Sequence, residues 1–211
     1  TLDEIQPDII HCHFGYEALK FLQNTDTKIP ILVHFHGYDA SQMLSKKSYL
    51  KAIKKEFVRL KVSPIAVSNY MRASLENSGM NMAHSYLLRY GIDLSKFEPT
   101  IHSEKQSSGT TFLQVSSLAE KKGHEFTIRA LAIALESKPG MKDLIQMKFT
   151  GDGPQKKQLE ALVSALGVSS NVNFVGSKDP DDVVKLLDEA DIFIHHSITA
   201  SNGDKEGIPN A

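Results

Sequence analysis

Glu206 stands in the polar run Gly203-Asp204-Lys205-Glu206-Gly207-Ile208-Pro209-Asn210-Ala211, behind an apolar stretch that reads as a buried strand. A carboxylate in such a loop accepts hydrogen bonds from sugar hydroxyls. If a helix begins here, the amides of Gly207, Ile208, Asn210 and Ala211 face an anion, while Pro209 has no N–H to give. Upstream, Lys122 and Gly123 close the run Val115-Ser116-Ser117-Leu118-Ala119-Glu120-Lys121-Lys122-Gly123, which follows one strand and opens a helix. A lysine at a helix N-terminus suits a phosphate, because the ammonium adds a full charge to the partial positive charge of the helix. In Thr150-Gly151-Asp152-Gly153-Pro154, Gly151 and Gly153 allow a ligand or another backbone to come close, and Pro154 suits a first helical turn. Gly176 and Ser177 end a further strand and would form one wall of a base pocket. The plain alternative in each case is a solvated loop or a tight turn.

Histidines supply the other polar candidates. Strand alternation sends His34 and His36 to one side, and His11 with His13 repeats the pattern. His36 is the one expected to reach into a cleft, with Gly37 turning the chain behind it. The alternative is that these rings end strands and bond locally. No metal is expected, because HxH recurs often and no third ligand is indicated. His195 and His196 are adjacent and point to opposite faces.

Short apolar runs alternate with helical patterns throughout. Strands are expected over residues 8–13, 31–35, 65–67, 86–88, 112–115, 144–149, 172–175 and 192–194. Helices are expected over 16–23, 48–56, from 69 to about 78, and over 125–136, 155–166 and 181–189. This rhythm implies an α/β protein with parallel sheets covered on both faces. The stretch 99–109, rich in serine and without apolar periodicity, is the expected linker between residues 1–98 and 110–211. Every candidate above lies at the C-terminal end of a strand, where such sheets bind ligands.

The 211 residues carry 24 basic and 25 acidic side chains, for a formal net charge of −1. That balance argues against nucleic acid as a partner. Lys46, Lys47, Lys51, Lys54 and Lys55 form the densest basic cluster and read as a solvated helix face. One cysteine, Cys12, excludes an internal disulfide and fits a cytoplasmic setting. The first residues do not resemble a signal peptide, and no apolar run is long enough to span a bilayer. No GxGxxG follows a strand, which speaks against a dinucleotide-dependent dehydrogenase.

Taken in order, FHGYD (35–39), YGIDLSKFEP (90–99), VSSLAEKKG (115–123), GDGP (151–154), VNFVGS (172–177) and EADIFIHHS (189–197) with EGIPNA (206–211) resemble the retaining glycosyltransferases of family 4. GDKEGIP, FHGYDAS and HCHFGYEA look like the branch that builds exopolysaccharides such as colanic acid. The resemblance implies two Rossmann-like domains of the GT-B fold, and a sugar moved from a nucleoside diphosphate to a glycan or lipid-linked acceptor with retention. It implies that Lys122, with Gly123 and the glycines at 151 and 153, meets the donor diphosphate. Glu206 would hold donor-sugar hydroxyls, with diphosphate contacts from the residues after it. Gly176 and Ser177 would lie beside the base, and His36 would reach the sugar. No cofactor or metal is implied, and a lipid-linked acceptor would bring peripheral contact with the inner face of a membrane.

Three departures from the family pattern stand out. Ser117 occupies a position where the family usually has arginine, which removes a planar cation that lysine does not replace. The second glutamate of the family's E-x7-E motif would fall past Ala211. The family's first strand and glycine-rich loop would precede Thr1. Both domains are therefore expected to be truncated, and the chain to be poorly active alone. Alternatives are a domain that binds a sugar nucleotide without transferring it, or a GT-B sugar-nucleotide epimerase, which would need no acceptor.

Overall fold

A computed structural model describes residues 2–97 and 109–209. The chain forms two compact units, Thr1–Gly91 with Thr199–Asn210, and Ile92–Ile198. The sequence boundary assigns all of 110–211 to the second domain. Thr199–Asn210 instead joins the first unit, because the backbone around Lys205 and Gly207 packs on Gly37 and His36. Of the expected linker, only Gly109 lies within the described residues; Asn210 and Ala211 lie outside them.

The first unit opens with a short helix α1 (Leu2–Ile5) and then runs β1 (Ile10–His13), α2 (Gly15–Leu22), β2 (Ile31–His34), α3 (Lys47–Arg59), β3 (Ser63–Ala66), α4 (Asn69–Asn77) and β4 (Tyr86–Leu87). Its four strands are parallel and neighbour one another in chain order. Helix α3 buries Tyr49, Ile53, Glu56 and Phe57, spaced so that all four fall on one face. Lys46, Lys47, Lys51 and Lys55 are exposed, as expected of a solvated face. Ser68 caps α4 by accepting a hydrogen bond from Met71 N at 3.1 Å, satisfying one of the helix's unpaired donors. Leu22, Val33, Phe35, Ile53, Ala66 and Leu75 fill the core.

The second unit runs β5 (Thr110–Val115), α5 (His124–Ser137), β6 (Ile145–Thr150), α6 (Lys156–Ala165), β7 (Val172–Gly176), α7 (Pro180–Glu189) and β8 (Ile192–Phe193). Its parallel sheet has the order β7-β6-β5-β8, so the chain turns back at the β5–β8 boundary. In open α/β sheets that reversal marks the place where ligands bind. Leu118, Ile128, Phe149 and Leu159 are fully or almost fully buried here. Every strand and helix expected from the sequence is present, with ends shifted by at most three residues. No helix among the described residues is long and apolar enough to cross a membrane.

His124 is the buried polar exception at the start of α5. It has no exposed surface, shares a 3.1 Å contact between its Nε2 and Ser116 Oγ, and leaves Nδ1 without a partner. Burial, and then His196, Lys122 and His195, push its pKa down to about 4. Below pH 6.5 the unfolded chain binds a proton that the folded imidazole refuses until about pH 4. Stability therefore falls as pH drops through that window, by at most on the order of 3 kcal/mol. Urea midpoints measured from pH 7 to pH 4 should fall more gently in His124→Gln than in the parent. Parallel curves would show that His124 is not the titrating group.

Candidate active site

Histidines from two strands meet on one face of the first sheet. β1 pairs with β2 so that His13 stands opposite His34. The ring centroids of His11 and His13 lie 4.4 Å apart, His34 and His36 4.5 Å, and His13 and His36 5.1 Å. His13 Nδ1 and His36 Nε2 share a hydrogen bond of 2.9 Å, and His36 Nδ1 reaches Tyr90 Oη at 2.5 Å. The His36 and Tyr90 rings stack with 1° between their planes. His34 is only 4% exposed, and neither ring nitrogen makes a hydrogen bond of acceptable geometry. The Leu88 backbone approaches closely enough to favour the charged ring slightly, a weaker effect than burial and the three neighbouring imidazoles, which push the pKa down to about 4. The expectation that no metal binds rested on the lack of a third ligand. The register of β1 on β2 overturns that ground, because it brings His34 to His11 and His13.

Asp39 holds this corner together. It is fully buried and accepts hydrogen bonds from three amides: Gly15 N at 2.8 Å, His36 N at 2.9 Å and Gly37 N at 3.0 Å. Gly37 adopts φ +152, a conformation that side-chain-bearing residues rarely take. A Cβ there would lie 3.1 Å from the Lys205 carbonyl oxygen and 3.2 Å from Gly207 N. A Cβ on Gly207 would come within 2.4 Å of the His36 carbonyl oxygen. These two glycines thus let the Glu206 loop lie backbone against backbone on the end of β2. Lys205 N donates to Ser41 Oγ at 3.2 Å, and Lys205 Nζ donates to Tyr70 Oη at 3.0 Å. Ile208 packs at the edge of the same core. A cavity of about 540 Å³ is lined by Gly37, Ser41, Tyr70, Ser74, Thr199 and Glu206, among others. Burial, then the carboxylates of Asp39 and Glu206, push the Tyr90 phenol up to about 12. His36 and Glu206 are therefore brought together within the first unit.

The second unit gathers the other candidates at its strand ends. Lys122 ends a short 3-10 turn, Glu120–Lys122, and Gly123 follows with φ +71 at the start of α5. Gln114 Nε2 donates to the Lys122 carbonyl at 2.8 Å, which fixes that backbone. His196, just beyond β8, rests against Gly123 with Nε2 3.0 Å from its carbonyl oxygen. The loops after β5 and β8 therefore meet at the point of sheet reversal. Gly151 and Gly153 answer to packing: Cβ atoms there would lie 2.0 Å from the Ser116 carbonyl oxygen and 2.6 Å from that of Leu118. Both glycines thereby hold the β6 loop against the Lys122 loop. Gly176 accepts from Gly151 N at 2.9 Å, and Ser177 beside it is exposed. Ser117, in the place of an arginine, is exposed as well.

Sequence reasoning passed over Asp39, Tyr90, Ser41 and Tyr70. Asp39 carried a signal, since aspartate side chains in turns often bond backbone two residues away, as Asp39 does with Gly37 N. Tyr90 carried none, because nothing local ties it to a histidine at position 36.

A family model described as "Glycosyl transferases group 1" matches residues 98–211, and one described as "Glycosyltransferase Family 4" matches residues 1–96. The chain is 30% identical to the amylovoran biosynthesis glycosyltransferase AmsK of Erwinia amylovora, over 97% of the chain and 49% of AmsK. It is 27% identical to WcaL of Escherichia coli strain K12, whose name assigns it to colanic acid biosynthesis, over 97% of the chain and 50% of WcaL. The chain thus spans about half the length of the curated relatives it matches. The crystal structure of Anabaena HepE in complex with UDP superposes with a TM-score of 0.74 at 18% identity, over 92% of this chain and 54% of HepE. The fold is GT-B.

Removing the Asp39 carboxylate strands three buried donors, each at a cost of about 1–3 kcal/mol. Asp39→Ala should therefore lose at least about 3 kcal/mol of stability in urea denaturation. A loss below about 1 kcal/mol would show that water takes over the acceptor role.

Proposed function

Because the chain belongs to the glycosyl transferases of group 1, we propose that it serves the transfer of a sugar from a nucleoside diphosphate to a glycan or lipid-linked acceptor in exopolysaccharide assembly. The observation that carries this reading is the seating of Gly207 on the His36 carbonyl, with the Glu206 carboxylate near enough to Tyr90 to raise its phenol. A carboxylate lining a cavity with the hydroxyls of Ser41, Tyr70 and Ser74 suits the hydroxyls of a donor sugar. In the second unit, Lys122 and the first turn of α5 meet the diphosphate at the sheet reversal. The departing nucleoside diphosphate gains negative charge in the transition state, and the Lys122 ammonium with the aligned N–H dipoles stabilises it there. That arrangement assigns leaving-group stabilisation to the chain's own cation rather than to a metal. Gly176 and Ser177 flank the base. The reaction proceeds with retention through same-face attack, and no side chain is assigned as a nucleophile.

Exposed Ser117 leaves the diphosphate with one cation fewer than the family pattern supplies. Introducing Ser117→Arg should tighten nucleotide binding, through a planar fork that matches phosphate oxygens. Calorimetric titration of the chain with UDP, GDP and ADP tests the reading directly. One nucleotide should saturate, and Lys122→Ala should weaken it about 10- to 100-fold, the worth of one charged hydrogen bond. The matching sugar nucleotide should bind more tightly still, and Glu206→Ala should remove only that increment. A folded chain that binds none of the three nucleotides overturns the proposal.

A further inference from the structure

We propose that His11, His13 and His34 form a three-imidazole site for a divalent transition-metal ion of the zinc class. One ring nitrogen from each residue lies within 4.8 Å of the other two. A tetrahedral ion with Zn–N bonds of about 2.0–2.1 Å needs those nitrogens about 3.3 Å apart. His11 and His13 are exposed, whereas His34 is held in the sheet at 4% exposure. The buried anchor also has no hydrogen bond of acceptable geometry at either nitrogen, although the Leu88 backbone approaches the ring. Buried polar atoms in folded proteins are nearly always satisfied, so the His34 nitrogen that lies within 4.8 Å of those of His11 and His13 needs a partner. A metal ion supplies it.

The donor set selects the ion. Three imidazoles and no carboxylate in the cluster suit Zn2+, Ni2+, Cu2+ or Co2+, and disfavour Mg2+ and Ca2+, which take oxygen ligands. Cys12 lies between the two β1 histidines in sequence, but strand alternation turns it to the other face, where it packs against the core. Three protein ligands leave a fourth position for water.

The supporting contacts follow the pattern of metal-bound histidines. His13 Nδ1 is engaged by His36 Nε2, which leaves His13 Nε2 for the ion. Metal at Nε2 fixes the proton on His13 Nδ1, so His36 Nε2 accepts and its own proton sits on Nδ1, facing Tyr90 Oη. Occupancy would thus set the tautomer of His36. The site goes beyond the proposed transfer and does not depend on it, since neither Lys122 nor Glu206 belongs to it.

The test uses the whole chain without an affinity tag, at pH 7.5. Zn2+ affinity is measured against a chromophoric chelator, and Co2+ serves as the spectroscopic probe. The expected result is one equivalent of metal and the visible bands of a four-coordinate Co2+ centre. His34→Phe should weaken binding at least about 100-fold, the upper range for losing even a supporting partner. His11→Ala, at an exposed ring, should do the same and carries the test if His34→Phe does not fold. His84→Gln, at an exposed histidine outside the cluster, should bind like the parent. Absence of stoichiometric binding, or equal binding by the parent and His11→Ala, overturns the proposal. So does loss of binding in His84→Gln.

Discussion

The buried carboxylate of Asp39 is the constraint on which the first unit's site depends. It accepts from the amide that opens α2 and from two amides at the end of β2. Three donors from two separate loops converge on one side chain with no exposed surface. Charge-assisted hydrogen bonds of this kind are roughly twice as strong as neutral ones. They bind the turn after β1 to the turn after β2, and so set where His36 begins its side chain. Without that clamp, Gly37 would have no reason to hold φ +152.

The second dependence is steric. Gly207 lies where a single methyl group would collide with the His36 carbonyl, and Gly37 faces the Lys205 carbonyl in return. Backbone approaches that close exclude side chains from both partners. The Glu206 loop is therefore seated by two missing side chains, and its carboxylate inherits a fixed neighbourhood. The second unit repeats the device at Gly151 and Gly153, whose lack of Cβ lets the β6 loop lie on Ser116 and Leu118. There the outcome is a firm backing for the Lys122 loop, on which these glycines act through packing.

Much of this was legible in the sequence because strand and helix periods are local. The apolar run of residues 31–35 reflects a strand buried on both faces, and the helical spacing of 125–136 reflects one buried face. Composition suggested a linker at 99–109, whereas the two units part between Gly91 and Ile92. Less visible was the allegiance of Thr199–Asn210, which depends on a glycine at 207 meeting a carbonyl at 36. Asp39 could have been read as a backbone acceptor from its place after the strand. Tyr90 could not, since its meeting with His36 spans 54 positions. The nearness of His34 to His11 and His13 was hidden for the same reason, because HxH was judged one strand at a time. Parallel pairing of two such strands in register places His13 opposite His34, and a slip of one residue would turn one pair to the other face.

Four imidazoles packed at 4.4–5.5 Å cannot all carry charge. Burial and mutual repulsion lower the pKa of His11, His34 and His36, burial being the largest cause for each. Near neutral pH these three rings therefore present lone pairs rather than positive charge. Lone pairs accept hydrogen bonds and hold metals, whereas a cationic cluster would attract phosphate. The two units thus divide the chemistry by charge state. The first offers neutral imidazoles and a carboxylate, suited to hydroxyl groups. The second offers an ammonium at a helix N-terminus, suited to an anion. His124 fits that division from the other side: buried beside Lys122, it stays neutral and adds no second positive charge to the core.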